Sequence, residues 1–141
     1  MNKLTRFFLG YAPACVLRRA MQNYDGKLKQ IIILRTDLNM RRGKEIAQGA
    51  HSSMGAYLGN RRDPFVRMWL QGAFAKIAVG IRTEEEMLDL HQRAKEAGLA
   101  TCLIQDSGRT EFKGVPTYTS LTIGPGEPEK VAELTQHLKL R

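Results

Sequence analysis

Gln30-Ile31-Ile32-Ile33-Leu34 is an unbroken run dominated by β-branched apolar residues, and Arg35-Thr36-Asp37-Leu38-Asn39 follows it directly. A strand buried on both faces reads this way, because neither face has to meet water. Asp37-Leu38-Asn39 brings turn and capping chemistry, so a helix is expected next. A buried strand, a turn and a helix form the first half of a crossover unit, which places the chain in the α/β class.

Downstream, Ile46, Ala50, Met54 and Tyr57 recur at spacings of four, four and three, which predicts a helix with one apolar stripe toward the core. Small residues (Gly49, Ala50, Ser52, Ser53, Gly55, Ala56) make that helix thin enough to lie close on a sheet. Gly59-Asn60 ends it, and Asp63-Pro64 caps a short second helix through Trp69. Residues 75–81 read as a strand. Thr83 with Glu84, Glu85 and Glu86 opens another helix by a capping box, with Met87, Leu90 and Ala94 as its buried stripe and Gly98 as its stop. Residues 100–105 and 117–123 read as two more strands. Gly124-Pro125-Gly126 breaks the chain, and Glu127-Pro128-Glu129 starts a last helix through Leu138.

The order β-α-α-β-α-β-β-α predicts a single-domain three-layer α/β/α sandwich around a mixed four-stranded sheet. Strands one to three are parallel through right-handed crossovers. The stretch from Gln105 to Thr117 is too short for a helical crossover, so the fourth strand returns antiparallel as a long hairpin.

Upstream of Gln30 the composition changes. The whole chain carries a net charge of +8. Residues 1–29 contain Lys3, Arg6, Arg18, Arg19, Lys27 and Lys29 against Asp25, a net of +5. Residues 1–28 are expected to be an extension to a domain at 29–141, either loosely ordered or a short amphipathic helix using Phe7, Phe8, Tyr11, Val16 and Leu17. The apolar run at 7–17 is too short to span a bilayer and is followed at once by Arg18-Arg19, so membrane association is not expected. A second basic stretch, residues 35–67, holds Arg35, Arg41, Arg42, Lys44, Arg61, Arg62 and Arg67 against Asp37, Glu45 and Asp63. Basic clusters fit a polyanionic partner or simply a solvated face. Cys15 and Cys102 lack metal or redox spacing, which fits a reduced, cytoplasmic setting, and no cofactor and no metal site is expected. Arg42-Gly43-Lys44-Glu45 lacks the earlier Gly and the hydroxyl residue of a phosphate loop, and no GxSxG or HExxH occurs.

Ligands of open α/β sheets bind beyond the carboxyl ends of the parallel strands. Here those ends carry residues 35–44 and 106–110, and an antiparallel fourth strand starts at the same edge. Lys44, Asp106, Thr110 and Thr119 therefore converge on one rim without any appeal to relatives. Gln48 and Ser52 follow Lys44 on one helix face, away from the apolar stripe.

These residues also carry a resemblance. Arg35-Thr36-Asp37-Leu38, Gly43-Lys44 with Ala47-Gln48 and His51, Trp69, Lys76, Leu103-Ile104-Gln105-Asp106-Ser107-Gly108-Arg109-Thr110, Thr119 and Ile123-Gly124-Pro125-Gly126 occur in the order of type 2 peptidyl-tRNA hydrolases. The resemblance covers about four-fifths of the chain. It departs at residues 1–28, at Ser52-Ser53 and in the loop from Phe112 to Pro116. It implies hydrolysis of the ester between peptide and tRNA, with Lys44, Asp106, Thr110 and Thr119 catalytic and Gln48, His51 and Arg109 beside them. Arg41, Arg42, Arg61 and Arg62 are then expected on tRNA phosphates. The rival expectation is a non-catalytic RNA- or partner-binding module on the same fold. The sequence leaves open whether Asp106 is a base or only aims the water, whether a hydroxyl attacks instead, and whether the chain forms a homodimer.

Overall fold

A computed structural model describes all 141 residues as one α/β unit. In chain order its elements are α1 (Lys3–Tyr11), α2 (Ala14–Ala20), a 3-10 turn (Gln22–Tyr24), β1 (Lys29–Arg35), α3 (Arg42–Gly59), α4 (Pro64–Gln71), β2 (Ala75–Ile81), α5 (Glu84–Glu96), β3 (Thr101–Asp106), β4 (Thr117–Ile123), α6 (Pro128–Thr135) and β5 (Lys139–Leu140). The sheet order is β3-β4-β1-β2-β5. β1 and β2 pair in parallel from Lys29↔Ala75 to Arg35↔Ile81. β4 pairs antiparallel with both β1 and β3, so β1, β2 and β3 run the same way and end on one edge.

The mixed sheet is as expected, but it has five strands rather than four. Lys139 and Leu140 add a short antiparallel edge on β2, extended by Arg141 N–H donating to Ala78 O at 3.1 Å. Two exposed residues carry no readable alternation, and their pairing is made by a distant strand. The last helix correspondingly stops at Thr135 instead of Leu138.

One face of the sheet is apolar. Ile31, Ile33, Val79, Ile81, Leu121 and Ile123 pack under Met87, Leu90 and Ala94 of α5 and Val131 and Leu134 of α6. α5 starts as its sequence predicts, with Thr83 Oγ1 accepting from Glu86 N–H and the Glu86 carboxylate accepting from Thr83 N–H.

The opposite face, under α3, is mixed, with Ile32 and Leu34 against Gly49 beside the polar Gln30, Ser120 and Thr122, and it overturns the expected stripe. Ile46 and Met54 are 67% and 58% exposed, whereas Gln48, Gly49, Ser52 and Ala56 are buried. The reason lies in what the sheet offers that helix. Gln30 and Ser53 bond each other, with Ser53 Oγ donating to Gln30 Oε1 (2.6 Å) and Gln30 Nε2 donating to Ser53 O (3.1 Å). Thr122 Oγ1 donates to Ser52 Oγ (2.8 Å), and Ser120 Oγ donates to Gln48 O (2.7 Å). Each buried polar atom has a partner, which removes the cost of burying it. Gly55 lets the helix sink to Cys102, whose Sγ would overlap any Cβ at that position.

The first 28 residues form two helices rather than a loose tail. Leu9, Leu17, Met21 and Leu28 make a second apolar cluster with Phe65, Met68 and Trp69 of α4. Arg67 donates to Leu9 O (2.7 Å) and Ala12 O (2.6 Å), and Arg6 pairs with Asp63. Of the apolar residues expected to make a short amphipathic helix here, Leu17 is fully buried, while Phe7, Phe8, Tyr11 and Val16 face solvent. No helix is long and apolar enough to cross a membrane.

Candidate active site

Lys44 enters from the first turn of α3 and Asp106 from the last residue of β3. The ammonium donates to Asp106 Oδ1 at 2.7 Å and to Thr110 Oγ1 at 2.9 Å, and both charged side chains keep only 13% of their surface exposed. Gln48, one turn along α3, donates its amide to the same carboxylate oxygen at 3.2 Å. The other oxygen, Oδ2, accepts from Gly108 N–H at 2.9 Å. Gly108 has φ +79° and a Cβ there would overlap Val115 backbone, so only glycine closes this loop under the carboxylate. The Phe112 ring lies 5.6 Å from Lys44 Nζ and shields the pair on the loop side.

Asp106 is held below the ordinary carboxylate range, first by the hydrogen bond from Lys44, with burial opposing and the Gly108 and Gln48 bonds assisting. It stands as an anion across neutral pH.

Thr119 is placed differently from the expectation that it meets substrate. It is fully buried and its hydroxyl donates to Gln48 Oε1 at 2.5 Å. The cause is a bulge. Ser120 pairs with Ile104 and Tyr118 with Gln105, so Thr119 is the extra residue on β4 and turns toward α3 beside Ser120. The result is a chain of bonds from Thr119 through Gln48 and Asp106 to Lys44 and Thr110, and four of its five members are those expected from convergence at the strand ends. Gln48 was expected only as a neighbour. Its central place had one signal, the polar stripe Gln48-Ser52 facing polar positions in β1 and β4.

The basic residues divide. Arg35 is buried and internal, with Nε and Nη2 each 2.7 Å from the Asp37 carboxylate and Nη1 3.1 Å from both Glu84 and Tyr118 O. Arg67 is likewise consumed by backbone carbonyls, so neither reaches a phosphate. Arg41, 81% exposed, meets Glu111 at 2.8 Å. Arg42 and Arg109 are exposed near the site. Arg61 and Arg62 lie past the far end of α3, about 27 Å along an 18-residue helix, and Arg62 donates to Tyr11 Oη (2.9 Å). His51 is exposed on α3, one turn beyond Gln48. Of the other histidines, His137 is exposed and His91 is half-buried with its Nδ1 3.2 Å from Thr101 Oγ1. No three metal-ligating side chains come together.

The family model described as Peptidyl-tRNA hydrolase PTH2 matches residues 28–141. The chain is 36% identical over 115 residues to a peptidyl-tRNA hydrolase of Methanocaldococcus jannaschii, covering 80% of this chain and 99% of that one. It is 40% identical over 117 residues to a probable peptidyl-tRNA hydrolase 2 of Dictyostelium discoideum, covering 82% and 55% of the two chains. It is 41% identical over 117 residues to the peptidyl-tRNA hydrolase 2, mitochondrial, of Mus musculus, covering 82% and 64%. The match spans every residue of the Lys44–Asp106 network, and the chain belongs to the PTH2 family of peptidyl-tRNA hydrolases.

Proposed function

We propose that the chain hydrolyses the ester between a peptide and the terminal ribose of tRNA, with Lys44 and Asp106 at the reacting centre. The observation that carries this reading is the Lys44 ammonium clamped between Asp106 and Thr110 at a partly open rim. An ammonium has three N–H donors and two are used here, so one remains to meet an oxygen of the substrate. That donor is worth most where negative charge develops.

Water adds to the ester carbonyl, whose oxygen becomes an oxyanion beside Lys44. Collapse breaks the bond to the ribose oxygen, which takes a proton, and the peptide leaves as its carboxylate. A carboxylate already bonded by Lys44, Gln48 and Gly108 is a weak base, so Asp106 serves first to aim the water and takes its proton as the new C–O bond forms. Thr110 holds Lys44 from the loop side and offers its own hydroxyl to the ester. Gln48 fixes Asp106, and Thr119 fixes Gln48. Arg41, Arg42 and Arg109 meet phosphates near the ester, whereas Arg61 and Arg62, past the other end of α3, are too far away to share that contact. Phosphate contacts make such recognition indifferent to base sequence.

The test is release of peptide from a purified peptidyl-tRNA, with the wild type expected to turn over in excess chelator. Lys44→Ala and Asp106→Asn are expected to stay folded and to lose roughly 10²-fold or more in turnover, the scale of removing an oxyanion donor or a general base. A wild type that binds tRNA and releases no peptide would make the chain a binding module instead.

A further inference from the structure

We infer that the groove along the β3 side of α3 is the peptide subsite, taking the side chains next to the ester, and that the tRNA leaves the site in the other direction. The inference rests on the hydrolase reading above. The groove has a volume of 430 Å³, begins at Asp106 and Gln48, passes His51, and runs over Ile104 to Met54 and Leu58. Met54 and Leu58 are 58% and 53% exposed, an apolar surface that nothing in the fold covers.

Charge decides which half of the substrate goes where. Not one Lys or Arg lines this groove, and its single full charge is the Asp106 carboxylate at its mouth. On the other side of the Lys44–Asp106 pair stand Arg41, exposed and paired with Glu111, and the loop held by Thr110, in which Arg109 and Lys113 outnumber that one carboxylate. A polyanion meets cations on that flank and none along the groove itself, where the next ones, Arg61 and Arg62, come only past Leu58 at its far end. An ester straddling Lys44 and Asp106 therefore directs its ribose and phosphates over the basic flank. Its acyl side points into the groove, where apolar side chains replace water on Met54, Leu58 and Ile104.

A larger apolar groove lies on the opposite flank of α3, against β1, β2 and α4, and includes Leu70 and Phe74. It does not contain Lys44 or Asp106, and Arg42, Lys76 and Arg141 line it. Continuity with the reacting pair favours the smaller groove.

The experiment compares peptidyl-tRNAs whose residue next to the esterified one is leucine or aspartate, for the wild type, Leu58→Glu and, as a control on the larger groove, Leu70→Ser. The wild type should prefer the leucine substrate. Leu58→Glu should lose about tenfold of that preference through KM, the scale of one apolar contact in a specificity pocket, and bind deacylated tRNA as the wild type does. Leu70→Ser should keep the preference. Loss of deacylated-tRNA affinity in Leu58→Glu would assign the groove to the tRNA terminus and overturn the inference. A preference altered by Leu70→Ser and not by Leu58→Glu would move the peptide to the larger groove. An active wild type whose preference neither variant changes would refute the subsite alone, whereas a wild type inactive on every substrate would remove the hydrolase reading beneath it.

Discussion

Thr119→Val isolates the one member of the site network that substrate cannot touch. Valine keeps the shape of threonine and removes the hydroxyl that donates to Gln48 Oε1. Because both groups are buried, the Gln48 carbonyl is left without a donor, at a cost of about 1–3 kcal/mol. For a chain of this size that lowers Tm by about 3–4 °C per kcal/mol, or roughly 3–12 °C in all. The freed amide no longer holds Asp106 Oδ1, which keeps Lys44 and Gly108. Losing one such bond to a charged group, at the low end of about 1.5–3 kcal/mol, predicts a drop in kcat of about tenfold. KM should not change. Single-turnover peptide release and thermal unfolding on the same preparations measure both effects, and Thr119→Ser, which restores the donor, should recover most of the rate. Wild-type kcat in a destabilised Thr119→Val would confine Thr119 to folding. A Thr119→Ser as slow as Thr119→Val would show that the hydroxyl bond to Gln48 does not set the rate.

Since Asp106 is depressed below its ordinary pKa, its contribution to stability is fully present above the unfolded value near 3.8 and disappears as pH falls through the lower folded value. The stability gap between wild type and Asp106→Asn, read by urea titration, should therefore be constant from pH 8 to 5 and close only below pH 3.8. Reversing Arg41 and Arg42 to Glu should reduce the log-log salt slope of tRNA binding by about 0.7–0.9 for each lost contact, whereas Arg35→Gln should lose folded protein before any slope is measurable. Deleting residues 1–28 uncovers Phe65, Met68 and Trp69 and removes Leu17 and Met21, each worth about 1.5–3 kcal/mol of gross burial. The expected product has a lowered Tm and binds hydrophobic dye, while its folded fraction cleaves at the wild-type rate; an unchanged Tm would show that the second cluster adds nothing.

What could be read from the chain is what is local. The β1 run, the Thr83 capping box and the short link between Gln105 and Thr117 each specify their own structure, and together they bring Lys44, Asp106 and Thr110 to one edge. What could not be read depends on a distant partner. The periodicity of α3 shows two stripes, one apolar and one of small and polar residues, and predicts the first as the buried one. The sheet presents Gln30, Ser120 and Thr122 to that helix, so the second stripe goes inside. The bulge at Thr119 is equally silent, since Thr117 to Ile123 alternates well enough for a regular strand. The head reads equally as loose chain or as an amphipathic helix, because the partners of Leu17 and Met21 lie more than forty residues away in α4.

The hydroxyl and amide groups between α3 and the sheet also bear on which substitutions this protein can absorb over time. An oily interface tolerates exchange among residues of similar volume, whereas paired polar groups tie a helix to one register. Here a slip of one turn would move Lys44 about 5.4 Å from Asp106 and would break the bonds made by Gln30, Ser52, Ser53, Ser120 and Thr122 together. None of those five polar residues belongs to the Lys44–Asp106 network. They are nonetheless where neutral drift is least affordable, because a stable chain with α3 one notch out of place would pass every test of folding and turn over nothing.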